Sequence, residues 1–160
     1  MGLLNSQVGA DNFQYVYWQS PTAQPVTLAP LPTGETPRTL FINTKSQIVA
    51  SSLEGHAYLW SSPSAQPTQL PALTHGTTAT MQALGLNNNG LIIGRANFGA
   101  SSSLAVYWKA GQVTDINTVL PAGQTLILDV ALSMNDQGQV VCDNIGQVVG
   151  NVGDVIVTIK

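Results

Sequence analysis

The chain has 160 residues, 44% of them apolar and only 8% charged, with a formal net charge of -3, which is one domain's worth of sequence able to bury roughly two thirds of its unfolded surface. Five Lys and Arg residues and a pI near 5.0 exclude the basic patch on which nucleic-acid affinity mostly rests, and the small net charge excludes charge-driven disorder. A single cysteine, Cys142, excludes an intramolecular disulfide and a cysteine-built zinc site.

From the N-terminus, Met1-Gly2-Leu3-Leu4-Asn5 lacks the basic region and long apolar stretch of a signal peptide. No apolar run approaches the roughly 18 residues that span a bilayer, so no membrane insertion is expected. Met1-Gly2 with Ser6 matches a myristoylation pattern so short that an ordinary start explains it as well. Leu4-Asn5-Ser6-Gln7-Val8-Gly9 reads as a shortened turn ahead of a Tyr15-Val16-Tyr17-Trp18 strand, and together these make a half unit, 1–18.

Three fuller units follow, at about 19–61, 62–109 and 110–160. Each opens with a strand that alternates polar and apolar residues: 24–28, 66–70 and 112–116. Next comes a turn, Leu31-Pro32-Thr33-Gly34, Leu73-Thr74-His75-Gly76 or Leu120-Pro121-Ala122-Gly123. An Asn turn between two apolar runs is then centred on Asn43, on Asn87 with Gly90, and on Asn135 with Gly138. A short aromatic strand ends at Trp60 and at Trp108, as the half unit ends at Trp18, while Val155-Ile156-Val157-Thr158-Ile159 falls in the same place with Ile expected to replace Trp. The Asn residues are 44 and 48 apart, the Trp residues 42 and 48, and the turn glycines 42 and 47. Three unrelated markers with one period and one order define an internal repeat.

The physical content of the unit is β. Asn accepts the local hydrogen bonds of a tight turn and Gly reaches positive φ without steric cost, so Asn-x-x-Gly between apolar runs predicts a hairpin. Four strands result: one before the Asn turn, one after it, the Trp strand and the alternating strand. No segment carries a 3.6-residue period, and nine Pro with fifteen Gly punctuate the chain too often for long helices. The expected fold is all-β, a propeller-like array of about three and a half four-stranded antiparallel blades within one repeat domain, 1–160, the alternatives being a β-solenoid or a small sandwich. An unclosed array exposes sheet faces at its ends, so either self-association or closure into a small strained ring is expected.

At these residues the chain resembles the bacterial HAF-type extracellular repeat family, whose units carry an Ile-Asn-x-x-Gly-Gln-Val-Val-Gly turn element followed by His-Ala-Phe-Leu-Trp. Gly55-His56-Ala57-Tyr58-Leu59-Trp60 and Asn135-Asp136-Gln137-Gly138-Gln139-Val140-Val141 are the nearest copies. The chain departs from the pattern where Lys45-Ser46 replaces the turn glycine, where Asp115-Ile116-Asn117 stands for Asp-Leu-Gly, and where His occurs in one Trp strand of three. The resemblance implies a propeller-like repeat at the bacterial surface or envelope with no established activity.

Candidate chemistry is sparse. His56 opens a strand and His75 sits in a turn, so nothing in sequence brings the two together. Asn87-Asn88-Asn89-Gly90 and Asn135-Asp136-Gln137-Gly138 have the oxygen-rich look of calcium loops but lack the alternating carboxylates and the later bidentate Glu. Asp136, Asp143 and Asp154 could form an acidic rim. Trp18, Trp60 and Trp108 recur in register, which favours core packing over sugar stacking. Cys142 stands where Ala50 and Gly94 end the equivalent strands, as a buried thiol would. No phosphate loop, nucleophile elbow or zinc-protease helix is present, and no cofactor is expected. The expected function is a non-catalytic scaffold binding a protein or glycan; the alternatives are a hydrolase or lyase built on the propeller, or a fragment of a larger repeat protein.

Overall fold

A computed structural model of the chain describes residues 2–4, 14–99, 102–124, 126–144 and 153–160. The shortened turn expected at 5–9 lies outside the described residues. The first sheet comprises β1 (Gly2–Leu4), β2 (Gln14–Tyr17) and β3 (Val26–Thr27). The second comprises β4 (Pro37–Ile42), β5 (Ile48–Ser52), β6 (Ala57–Trp60) and β7 (Thr68–Gln69). A small hairpin of β8 (Thr74–His75) and β9 (Thr77–Thr78) leads to the third sheet, made of β10 (Thr80–Leu86), β11 (Ile92–Asn97), β12 (Ser103–Lys109) and β13 (Gln112–Asp115). After a 3-10 turn at Ile116–Val119, β14 (Val130–Met134), β15 (Gln139–Asp143) and β16 (Val155–Thr158) form the fourth.

The protein is therefore all-β, and every one of these four sheets is an antiparallel meander in chain order. In the second and third sheets the Asn turn makes the first connection, the Trp strand lies third and the alternating strand lies fourth. Each alternating strand thus closes the sheet that precedes it in sequence, since β7 pairs with β6 and β13 with β12.

Consecutive sheets stack face to face. The first strand of a later sheet lies across the middle of the one before: β10 packs on β4, β5 and β6, and β14 packs on β10, β11 and β12. Both faces of an inner sheet are consequently covered, and the alternation of a strand distributes its side chains between two cores. All five residues of β5 are buried; Ile48 and Ala50 enter the core shared with the first sheet, and Val49 enters the core shared with the third. Ile93, Ala105, Val140 and Cys142 fill the interface between the third and fourth sheets.

Trp60 and Trp108 each point back toward the preceding sheet and are 0% and 1% exposed. Ile48 stands opposite Trp60 and Ile92 opposite Trp108, and in the fourth sheet Val140 stands opposite Val157. Val157, and not an Ile, therefore occupies the Trp position, because strand register rather than nearness in sequence assigns the place. Gly90 and Gly138 both have φ of 78°. The same turn position in the second sheet is Ser46, held at φ 59° with its hydroxyl 2.8 Å from that of Tyr17. The glycine-free turn keeps the left-handed geometry and accepts its strain.

Candidate functional site

The Asn turns lie along one edge of the stack, and their polar groups are spent on one another. Asn43 Oδ1 accepts the backbone N–H groups of Lys45 and Gln47, and Asn87 Oδ1 accepts those of Asn89 and Leu91. Such bonds hold an Asx turn. The amide nitrogen of each then reaches the next sheet: Asn43 Nδ2 donates to the Asn87 carbonyl at 2.9 Å, and Asn87 Nδ2 to that of Asn135 at 3.1 Å. One residue on, the backbone N–H and hydroxyl of Thr44 donate to Asn88 Oδ1 at 2.8 and 2.6 Å. Asn88 in turn donates its backbone N–H and side-chain amide to the two oxygens of Asp136 at 2.9 and 2.7 Å. These bonds hold the Asp136 carboxyl below its ordinary pKa.

The turns with the look of calcium loops thus direct their oxygens at neighbouring N–H groups. A cleft of about 160 Å³ between the Asn turns of the third and fourth sheets is lined by Asn87, Asn89, Lys109, Asp136 and Gln137, among others, with Lys109 Nζ donating to the Lys160 carbonyl at 2.8 Å. Spacing alone disclosed the recurrence of the Asn residues. That they bond across sheets was missed, and the equal offset of Thr44, Asn88 and Asp136 behind each Asn was the available signal.

The repeated tryptophans are likewise architectural. Trp60 Nε1 donates to the Ala29 carbonyl at 3.0 Å and Trp108 Nε1 to the Pro71 carbonyl at 2.8 Å, each joining a sheet to the chain leaving the one before it. Buried at those positions, neither offers a ring for sugar stacking. Trp18, on the first sheet, is only partly buried.

What the repeat does not explain lies at the other end of the second sheet. His56 Nδ1 is 2.7 Å from Glu35 Oε1; the imidazole side chain is 42% exposed and the carboxylate 11%. The Tyr58 ring stands edge-on to the imidazole at 6.5 Å, and burial, then the Glu35 carboxylate, push its phenol up to about 12. Glu54 Oε2 accepts the backbone N–H of Thr36 at 2.7 Å, which lowers the pKa of that carboxyl. The third sheet has Leu104 where the second has His56, since Ala57 and Ala105 correspond. The His56–Glu35 pair is specific to one unit, and only the fold brings Glu35, 21 residues earlier, to the imidazole.

His75 takes a different partner, stacking on Phe98 at 5.4 Å. Cys142 is buried, and burial pushes its thiol up to about 12. Asp136 is tied to Asn88, while Asp143 ends β15. Among the described residues no group of three or more His, Cys, Asp or Glu side chains is placed to hold a metal ion. Among the described residues no helix is long and apolar enough to cross a membrane. Compared with known proteins, the chain matches no family model, no curated protein and no solved structure.

Proposed function

We propose that the chain is a non-catalytic, propeller-like repeat module that serves as a binding scaffold for a protein or glycan at the bacterial surface or envelope. The observation that carries this reading is the use of the repeated polar residues. Asn43, Asn87, Trp60 and Trp108 bond sheet to sheet, so the residues with the strongest periodicity build a platform, and recognition falls to loops that differ between units. The meander order and face-to-face packing support the reading as blades, and the motif resemblance to HAF-type repeats supports the reading of a surface location.

A hydrolase reading rests on the His56–Glu35 pair alone, a carboxylate bonded to an imidazole with its ring partly open to solvent. One experiment separates the two. The chain is titrated calorimetrically with a panel of bacterial surface polysaccharides and proteins, and the same mixtures are followed for cleavage products. Binding without turnover is expected; turnover that disappears in Glu35→Gln would replace the scaffold with an enzyme.

A further inference from the structure

Three of the four sheets close with the same kind of strand. β3, β7 and β13 each pair antiparallel with the strand that runs to Trp18, Trp60 or Trp108. In each pairing a β-branched residue, Val26, Thr68 or Thr114, stands opposite Tyr17, Leu59 or Tyr107. Two residues later come Leu28, Leu70 and Ile116, at 3%, 7% and 0% exposed, with Thr27, Gln69 or Asp115 between. Leu28 and Leu70 donate their backbone N–H groups to the carbonyls of Tyr15 and Ala57 at 2.9 and 2.8 Å. The closing strand thus follows one rule: a β-branched residue, a polar one, then Leu or Ile.

The fourth sheet has the third strand without the closing one. Val157 holds the Trp place, so Ile156 corresponds to Leu59 and Tyr107. Among the described residues no strand pairs with the outer edge of β16. Residues 153–160 are all described, and Asp154, Ile156, Thr158 and Lys160 are exposed, Ile156 to 67%. Ile159 donates its N–H inward to the Gly138 carbonyl at 2.8 Å, so alternation turns the N–H and C=O groups of Thr158 and Ile156 toward the open edge. Sheet edges are ordinarily blunted by Pro or charge. Pro67 and Pro71 flank β7 and Pro25 precedes β3, whereas Val155-Ile156-Val157-Thr158 is β-branched throughout and holds neither Pro nor charge.

We infer that the edge of β16 takes up an extended segment of a partner protein, which adds antiparallel as the fourth strand of the fourth sheet and carries the sequence rule of β3, β7 and β13. The inference rests on the scaffold reading and narrows its partner to a polypeptide. In strand addition the main-chain bonds supply affinity and alternate side chains supply selection. The β-branched residue of the partner stands opposite Ile156, as Thr114 stands opposite Tyr107. Its Leu or Ile then falls opposite Asp154, at the place Leu70 takes beside Ala57. A second copy of the chain has no spare strand of this kind among the described residues, because β3, β7 and β13 are each paired within their own sheets.

The probe is a synthetic peptide copying residues 110–117, the stretch around β13, labelled with fluorescein and titrated with the full chain. Saturable binding by fluorescence anisotropy is expected, with the amide NMR signals of Ile156 and Thr158 shifted and their hydrogen exchange slowed. Ile156→Pro removes an outward N–H and leaves the ladder to β15 intact, so it is expected to weaken binding about tenfold or more with circular dichroism unchanged. Against the unaltered protein, a peptide carrying Thr114→Pro is expected to show the same loss. Absence of binding overturns the inference, and so does binding that Ile156→Pro leaves intact. A mass of twice 16.8 kDa in light scattering that is lost in Ile156→Pro overturns it as well, giving the edge to a second copy. Failure of the scaffold reading shows differently, as turnover of the surface panel that disappears in Glu35→Gln.

Discussion

Asn43 and Asn87 are 44 residues apart in the chain, and the side-chain amide of the first donates to the backbone carbonyl of the second at 2.9 Å. Asn87 repeats the bond on Asn135 at 3.1 Å. A residue type suited to one tight turn therefore also joins that turn to the next, so a local signal and a long-range contact share three positions. At Asn135 the amide bonds Gln139 Oε1 of its own turn instead.

Substitution along the ladder should follow that asymmetry. Asn87→Ala removes two hydrogen bonds accepted within the Asx turn and one donated across sheets, and is expected to cost about 3 kcal/mol at roughly 1 kcal/mol per net hydrogen bond. Asn135→Ala, which breaks bonds within its own turn, is expected to cost less. Urea unfolding of the two variants measures the order, and equal losses would remove the cross-sheet contribution.

Trp60→Ala should destabilise by about 3 to 5 kcal/mol, the range for large aromatic truncations in a core. Trp18→Ala should cost clearly less, because no preceding sheet covers it among the described residues. Thermal melts of both variants report the difference; similar midpoints would contradict the assignment of Trp60 to an inter-sheet core.

The two turn glycines are expected to differ although both have φ of 78°. A Cβ on Gly138 would lie 2.7 Å from the Ile159 carbonyl oxygen, whereas at Gly90 the nearest atom is 3.9 Å away. Gly90→Ala then meets only the backbone cost of about 1 to 2 kcal/mol for a left-handed L residue, and Gly138→Ala meets that cost plus a steric one. Denaturant midpoints should rank wild type, Gly90→Ala and Gly138→Ala in falling order.

Asp136 titrates below its ordinary range in the folded protein because Asn88 hydrogen-bonds its carboxylate. A depressed folded pKa adds stability above the unfolded pKa, and that stability is lost as pH falls through the folded value. Wild type should therefore lose stability in acid, below the ordinary Asp range, more steeply than Asp136→Asn. Because Asp136 is at the surface, added salt should shrink the difference. Parallel pH profiles for the two proteins would contradict the assignment.

Cys142 should resist alkylation in the native state at pH 8 and react once the chain is unfolded, since burial pushes its thiol up to about 12 and the thiolate is the reactive form. Mass spectrometry after timed iodoacetamide exposure reads this directly.

The periodic sequence determined the all-β class, the meander unit of four strands and the places of the Asn turns and Trp strands. Alternation, turn chemistry and strand length are local, so a repeated pattern states them several times over. Tertiary structure alone decided that Val157 takes the Trp place, because pairing register with Val140 is a relation between strands. It decided that Ser46 keeps a glycine's φ, a strain tolerated because neighbouring strands specify the turn. It brought Glu35 to His56 and set which face of each sheet is covered. Those outcomes depend on how far apart two sheets lie and which way each faces, quantities that residue spacing along a strand does not encode.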